Sequence, residues 1–482
     1  MDRPPYSLLA LLPLLVCVGL GSLLSGSAAA ATVTAGTPDG SELWGYVEVR
    51  PKAHLFWWYY KSPQRPSTPS TPWPTVLWLQ GGPGASGVGF GNFLEIGPLD
   101  VNLQPRNSTW LQKADLIFVC RSFSVSPPAA QDNPVGVGYS YVEDDSLLVT
   151  TDWQQAADAT TLLKALVDEV PTLRSSPLFL VAESYGGKYA ATLGASVARA
   201  ARAGELNITL GGVALGDSWI SPEDFTLSYT PLLLSVSRLD DNAGDEATKM
   251  AETVKDQIAS GNFTDAEGSW NDLLGFIRTR SGHVVSAVLN LSRLLSVSSQ
   301  DMYNFLDGSL ADEATANAAA AGGSSPNAGA KAKPMMEEYS RRLSGNDGSE
   351  TNTIGGIMNG VIKEKLKIIP KDLEWVVLNQ AIDELLSYGV NVTVYNGQLD
   401  IICSTIGAEA WVQKLKWDGL KTFLSLPRQS LQCSPSIGTK GFVRSYKNLH
   451  FYWILGAGHY VPVDQPCIAL SMIGSITQSP AS

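Results

Sequence analysis

Residues 178–190 read LFLVAESYGGKYA, and the way this stretch turns decides the fold. The apolar run LFLVAE (178–183) reads as a buried strand. It breaks at Ser184 into Tyr-Gly-Gly, and YAATLGASVARAARA (189–203) reads as a helix. Two explanations fit such a corner. Either the serine is an ordinary helix cap, or it sits on a tight turn that holds its hydroxyl out for chemistry. The flanking sequence supplies the frame. TVLWLQ (75–80), ADLIFV (114–119) and ITLGGVALG (208–216) are further strand candidates, and WQQAADATTLLKALVDEV (153–170) has apolar residues at helical spacing. Continuous apolar strands alternating with helices predict a mostly parallel sheet covered on both faces.

From about 221 to 372 this rhythm is lost. Helix-like pieces appear there, at 246–259 and 284–296. Residues 309–352 are rich in Ala, Gly, Ser and Asn, a composition that builds little core, and read as a flexible connection. Sheet signals resume at VNVTVYNG (390–397) and LHFYWILGAG (449–458). The predicted organisation is an α/β core in two parts, 31–220 and 373–482. A helical insertion, 221–372, is placed to roof a site at the C-terminal ends of the strands.

The chain has 482 residues, 44% hydrophobic, with a net charge of −12. Without a long Lys/Arg run, nucleic acid is excluded as an expected partner. Residues 1–30 place Arg3 before an apolar stretch that ends in alanines, which reads as a secretory signal peptide in preference to a membrane anchor. The mature protein is expected to be soluble, and secreted or vacuolar. Asn107, Asn207, Asn262, Asn290 and Asn391 head glycosylation sequons, in keeping with export. Beyond the leader, Cys120, Cys403, Cys433 and Cys467 permit a disulfide or two, in any of three connectivities. No cluster of His and Cys suggests a metal, and no cofactor is expected.

A serine hydroxyl needs a base to become a nucleophile. Of His54, His283, His450 and His459, only His459 follows a strand and a Gly-Ala-Gly turn. Asp400, just beyond NVTVYNG, is the candidate to orient the imidazole. The order Ser184, Asp400, His459 is that of α/β hydrolases. Ala182 stands where their G-x-S-x-G turn has its first glycine, and Gly186 keeps the second. The glycine-rich loop at 80–84 and the N–H of Tyr185 are candidate donors for an oxyanion.

These residues resemble the serine carboxypeptidase family. The matching pieces are WLQGGPGASGVGFGNFLEIGPL (78–99), DNPVGVGYSY (132–141), ESYGGKY (183–189), YNGQLD (395–400) and SYKNLHFYWILGAGHYVPVDQP (445–466). Gln80, where many members have Asn, makes the chain most similar to the retinoid-inducible and vitellogenic-like branch. The resemblance implies an α/β-hydrolase fold and release of C-terminal residues from peptides at acidic pH. It implies Ser184 as nucleophile, His459 as base and Asp400 as orienter, with the N–H groups of Gly82 and Tyr185 as oxyanion hole. It also implies that Gln80, Glu183 and Glu95 bind the substrate's terminal carboxylate, with Trp78 beside them. Two close carboxyls resist double ionisation, so one keeps a proton and can donate it to a carboxylate. Cys403 is expected near this site, as a free thiol in preference to half of a disulfide.

Some relatives in plants transfer acyl groups from glucose esters with the same triad, which is the alternative activity. The segment Cys120–Gln131 interrupts the family pattern between LIFV and DNPVG. It is either a tolerated surface loop or a chain displaced into the cleft, which would leave a non-catalytic binding or protective glycoprotein. On the second reading, deleting 120–131 raises turnover of a blocked dipeptide. Equal expression and equal turnover without the segment rule that reading out.

Overall fold

The computed structural model describes residues 32–66, 72–82, 85, 87–100, 102–119, 139–149, 151–281, 300–305, 379–433 and 438–480. The expected signal peptide, the segment 120–131, the piece 284–296, the connection 309–352, Cys120, His283 and Asn290 lie outside the described residues.

Twelve strands of the described residues form one sheet. They are β1 (Thr32–Gly36), β2 (Glu42–Arg50), β3 (Ala53–Tyr60), β4 (Thr75–Leu79), β5 (Asp115–Val119), β6 (Tyr141–Val142), β7 (Pro177–Glu183), β8 (Thr209–Gly216), β9 (Asn391–Gly397), β10 (Gln429–Leu431), β11 (Gly441–Tyr446) and β12 (Leu449–Ile454). Their spatial order is β1-β2-β3-β5-β4-β7-β8-β9-β12-β11-β10, with β6 beside β3. The run β5-β4-β7-β8-β9-β12 is parallel. Antiparallel ribbons, β1-β2-β3 on one side and β11-β10 on the other, extend it. Sequence reading found the parallel strands within a residue or two and did not find these ribbons.

The side-chain alternation of the parallel strands explains why they read as unbroken apolar runs. Leu77 and Leu79 of β4, Leu180 and Ala182 of β7, and Val213 and Leu215 of β8 share one core cluster. Trp78, Val181 and Ala214 point into a second core on the other face. Each face is covered, so β4 is buried throughout and the C-terminal parts of β7 and β8 are buried as well. The first face is covered by helices Asp152–Glu169 and Gly186–Arg202. The former is capped by the Thr151 side chain accepting from Gln154 N–H, and buries Ala156, Ala159, Leu162, Leu163 and Leu166 at helical spacing. The second face is covered partly by helix Pro466–Thr477, through Ile468, Ala469, Met472 and Ile473. A disulfide joins Cys433 to Cys467, while Cys403 is a buried thiol, which decides among the pairings that the sequence left open.

Beyond β8, the described residues up to 281 form three long helices, Pro222–Ser235, Asp241–Ala259 and Phe263–Arg280. The first of these helices packs on the segment that follows β9. Tyr229 Oη–H is donated to the Ile402 carbonyl at 3.2 Å, and Gly407 abuts the Phe225 ring. Asn107, Asn207 and Asn262 are exposed. Asn391 is different, because its side-chain amide is donated to Gly211 O at 3.2 Å.

Helix Gly186–Arg202 starts against the strand ends. A Cβ on Gly186 would fall 2.2 Å from the Leu79 carbonyl oxygen, a backbone atom that cannot yield. Gly186→Ala is therefore expected to cost at least about 2 kcal/mol. Urea denaturation checks this, and an unchanged midpoint contradicts it.

Candidate active site

The corner at Ser184 is a tight turn and the serine is not the helix cap. Tyr185 occupies the N-cap position without a side-chain capping bond. Ser184 has φ of +59°, a left-handed conformation that a residue with a Cβ adopts only under constraint. The constraint is visible on every side. Ser184 N–H is donated to Gly216 O at 3.0 Å, and Ser184 O accepts from Trp219 N–H at 2.9 Å. A Cβ on Gly81 would meet Ser184 Cβ at 2.5 Å and Tyr185 N at 2.9 Å, so the glycine-rich loop lies directly against the turn. Glu183 stays buried while Ser184 is lifted to a half-buried position.

His459 and Asp400 come together from neighbouring strands, β12 and β9. Gly397 allows this: a Cβ there would lie 2.0 Å from Gly458 O, so the two strand-end loops cross in contact. His459 Nδ1 lies 2.7 Å from Asp400 Oδ2, with both side chains buried. The second Asp400 oxygen accepts Cys403 N–H at 3.2 Å. The Nδ1 contact fixes the ring tautomer and leaves Nε2 as the basic nitrogen. Backbone bonds set the loops, since His459 N–H is donated to Tyr303 O at 2.7 Å and Gly458 N–H to Asp464 Oδ2 at 2.7 Å. Among the described residues no hydrogen bond joins the Ser184 hydroxyl to His459; such bonds commonly tighten only with substrate in place.

The residues expected to bind a carboxylate form a buried chain. Trp78 Nε1–H is donated to Gln80 Oε1 at 2.7 Å, and Gln80 Nε2–H to Glu183 Oε1 at 2.8 Å. Trp78 is fully buried, so its indole acts by turning the Gln80 amide toward Glu183. Glu95 arrives from the helical segment Gly87–Ile96 and pairs with Glu183. Burial raises both acids, and the Glu95 charge pushes Glu183 further, well above the usual carboxylate range. The two carboxyls therefore hold a proton between them. On Glu95, the rise from burial is opposed by the hydrogen bond from Glu183 and, more weakly, by the charge of His459, so the carboxyl pair and the imidazole belong to one site.

A family model described as serine carboxypeptidase matches residues 33–479. The chain belongs to the serine carboxypeptidase family. It is 51% identical to Serine carboxypeptidase-like 51 of Arabidopsis thaliana over 465 residues, covering 92% of this chain and 93% of that one. It is 40% identical to the Retinoid-inducible serine carboxypeptidase of Mus musculus over 479 residues, covering 95% and 96%. Among solved structures, the prohormone-processing carboxypeptidase Kex1(delta)p of Saccharomyces cerevisiae superposes with a TM-score of 0.64 at 20% identity, covering 92% and 93%. That likeness is one of fold, the α/β hydrolase. The protein is thus a serine-type carboxypeptidase, a hydrolase.

In this serine carboxypeptidase the oxyanion candidates flank the turn. Gly82 has φ of +117°, open to glycine alone, and Tyr185 is held through its ring. Lys188, fully buried, lies 4.9 Å from the Tyr185 ring centroid, and Tyr185 Oη is 3.5 Å from Asp152 Oδ1. Burial lowers Lys188 to about 8 against the upward pull of Asp152. The trio Asp400, Cys403 and His459 brings its donor atoms within 4.8 Å. Its arrangement follows from the imidazole–carboxylate bond, and burial keeps the thiol protonated, which is unsuited to metal binding. Sequence reading missed Asp217, Tyr303, Asn396 and Asp464. The signal for Asp217 was available, since it follows β8 as Ser184 follows β7. Tyr303 and Asp464 act through contacts that no spacing encodes. Among the described residues no helix is long and apolar enough to cross a membrane.

The buried acids set a direction for stability. Burial raises Glu95, Glu183, Asp217 and Asp400 in the folded state. Their contribution is fully present below the unfolded carboxyl range of about 4 and is lost as pH rises through the folded values. Tm should therefore fall from about pH 5 to about pH 8, and Glu183→Gln should flatten that fall. Thermal melts across pH decide it; a Tm that rises toward pH 8 contradicts it.

Proposed function

We propose that this serine carboxypeptidase releases C-terminal residues from peptides at acidic pH through a Ser184–His459–Asp400 acyl-enzyme mechanism, after passage through the secretory pathway. The observations that support the reading are the left-handed turn at Ser184, at the end of β7, and the buried His459–Asp400 pair beyond β12 and β9 of the same sheet. Ser184 Oγ attacks the scissile carbonyl carbon as its proton passes to His459 Nε2. Asp400 stabilises the imidazolium. The N–H groups of Gly82 and Tyr185 receive the negative charge on the tetrahedral oxygen. Collapse breaks the C–N bond, and His459 returns the proton to the leaving amine. Water, deprotonated by the same imidazole, then attacks the acyl-enzyme and releases Ser184.

The carboxylate end of the substrate fits the Gln80–Glu183–Glu95 cluster, with protonated Glu183 as donor. An ionised Glu183 repels the same carboxylate, so binding weakens as pH rises through its raised value. This preference for a free carboxylate favours peptidase over acyl transfer from a glucose ester, which carries no such group. The exposed sequons Asn107, Asn207 and Asn262 are proposed to carry glycans; Asn391, whose amide is engaged, is the weaker candidate.

Blocked dipeptides assayed across pH test the mechanism. Ser184→Ala should lower kcat by about 10⁴-fold or more and abolish labelling by a fluorophosphonate. A protein that turns over peptides without Ser184 refutes it, and a wild-type protein that does not label points to a binding glycoprotein. Replacing the substrate's carboxylate by an amide should raise KM about 10- to 100-fold. In Glu183→Gln, which donates at every pH, KM for the acid should stay level toward neutral pH. A KM that climbs as in wild type removes Glu183 from carboxylate recognition.

A further inference from the structure

Asp217 ends β8, the strand lying between the Ser184 strand β7 and the Asp400 strand β9. Its backbone is stitched to both neighbours. Gly216 O accepts Ser184 N–H on one side, and Asp217 N–H is donated to Tyr395 O at 2.9 Å on the other. Its φ of +39° turns the side chain back over the end of β9. There Oδ1 accepts Gly397 N–H at 2.8 Å and Asn396 Nδ2–H at 3.3 Å. The carboxyl is fully buried, and its second oxygen, Oδ2, finds no donor among the described residues. That oxygen belongs to a group in contact with Asp400, whose own two oxygens already accept from His459 and Cys403. Two ionised carboxylates in such contact would repel strongly, since both are fully buried. A neutral acid on Asp217 resolves the conflict, because its hydroxyl has an acceptor waiting.

We propose that Asp217 is a positioning residue for the reaction: as a neutral acid clamped to the end of β9, it donates a hydrogen bond to Asp400 and holds that carboxylate in line with His459. The inference rests on the triad reading given above. The surroundings favour the proton. The ionisable groups whose charge acts on Asp217, or that feel its charge, are Asp400 and Cys403 beyond β9, Tyr395 within β9, Glu183 at the end of β7 and Asp464 from helix Val461–Asp464. The His459 Nδ1 is committed to Asp400 and offers Asp217 no partner. Burial, then the Asp400 charge, push the Asp217 carboxyl well above its ordinary range. When Asp217 does ionise, Asp400 loses a donor and gains a repelling neighbour, so turnover falls on the alkaline side through a group that never touches substrate.

Glu183 also titrates, but its effect falls on KM for free carboxylates. An activated ester of a blocked peptide, lacking a free carboxylate, removes that contribution. The test is kcat for such an ester from about pH 4 to about pH 9, for wild type, Asp217→Asn, Asp217→Ala and Ser184→Ala, with Tm measured for each. Asn tolerates the left-handed backbone, accepts from Gly397 and donates to Asp400 at every pH. Asp217→Ala should lose on the order of 100-fold in kcat with KM little changed. Asp217→Asn should recover most of that loss, and its alkaline limb should lie at least about one unit higher than in wild type, a difference of about 10-fold in kcat on that limb. A profile for Asp217→Asn that superimposes on wild type, with Ser184→Ala inactive, overturns the role of Asp217 and leaves the triad standing. Wild-type kcat in Asp217→Ala does the same. Should Asp217→Ala fail to fold, the Asn profile alone decides. Activity in Ser184→Ala would instead bring down the triad reading itself.

Discussion

The site depends on one backbone constraint. At the end of β7 the chain must reverse into a helix within a single residue, and Ser184 carries the cost by holding φ at +59°. Such a conformation costs about 1–3 kcal/mol and survives only where its surroundings over-determine it. Here hydrogen bonds to Gly216 and Trp219 fix the backbone of Ser184 on both sides, and the absence of side chains on Gly81 and Gly186 lets the neighbouring loop and helix close in. The same turn keeps Glu183 facing inward and Ser184 facing outward. In the proposed mechanism these adjacent residues take two different tasks, holding a substrate's charge and attacking its carbonyl.

A second feature is the density of buried acids with few cations among them. Glu183 with Glu95 and Asp217 with Asp400 are two carboxyl pairs, one at the end of β7 and the other between the ends of β8 and β9. Each pair can exist only by retaining a proton, because a second charge would be stranded in a medium of low polarity. The first pair faces the substrate and the second faces the imidazole. On the proposed mechanism an acidic environment suits both recognition and base orientation, and burial of these acids favours folding in the same direction. One physical cause, burial of paired acids, links the three properties.

The chain segments that complete the site come from far apart in sequence. Met302 O accepts from both Ile401 N–H and Ile402 N–H, and Tyr303 O accepts His459 N–H. The Tyr303 ring packs against the imidazole with centroids 4.7 Å apart. A short piece of the region between β8 and β9, residues 302–303, is thus built against the Asp400 and His459 loops.

By itself the sequence determined the parallel strands, the serine turn and the candidates Ser184, Asp400 and His459. Burial on both faces leaves an unbroken apolar run, and catalytic chemistry restricts which residue types can stand at strand ends. The antiparallel ribbons were not legible. β2 alternates half-buried and buried residues, a pattern weaker than a continuous run, and nothing in β10 or β11 shows which strand it will pair with. The glycine-rich loop showed as a candidate oxyanion site from its place after a strand, whereas the roles of Gln80 and Glu95 were recognisable only through the resemblance to a family. Tertiary structure alone decided that Cys433 pairs with Cys467, that Trp78 acts through Gln80, and that Asp217 meets Asp400. Those facts depend on which strand lies beside which and on how closely loops cross at Gly397. Distances between segments hundreds of residues apart are set by the packing of the whole sheet, and local pattern carries no record of them.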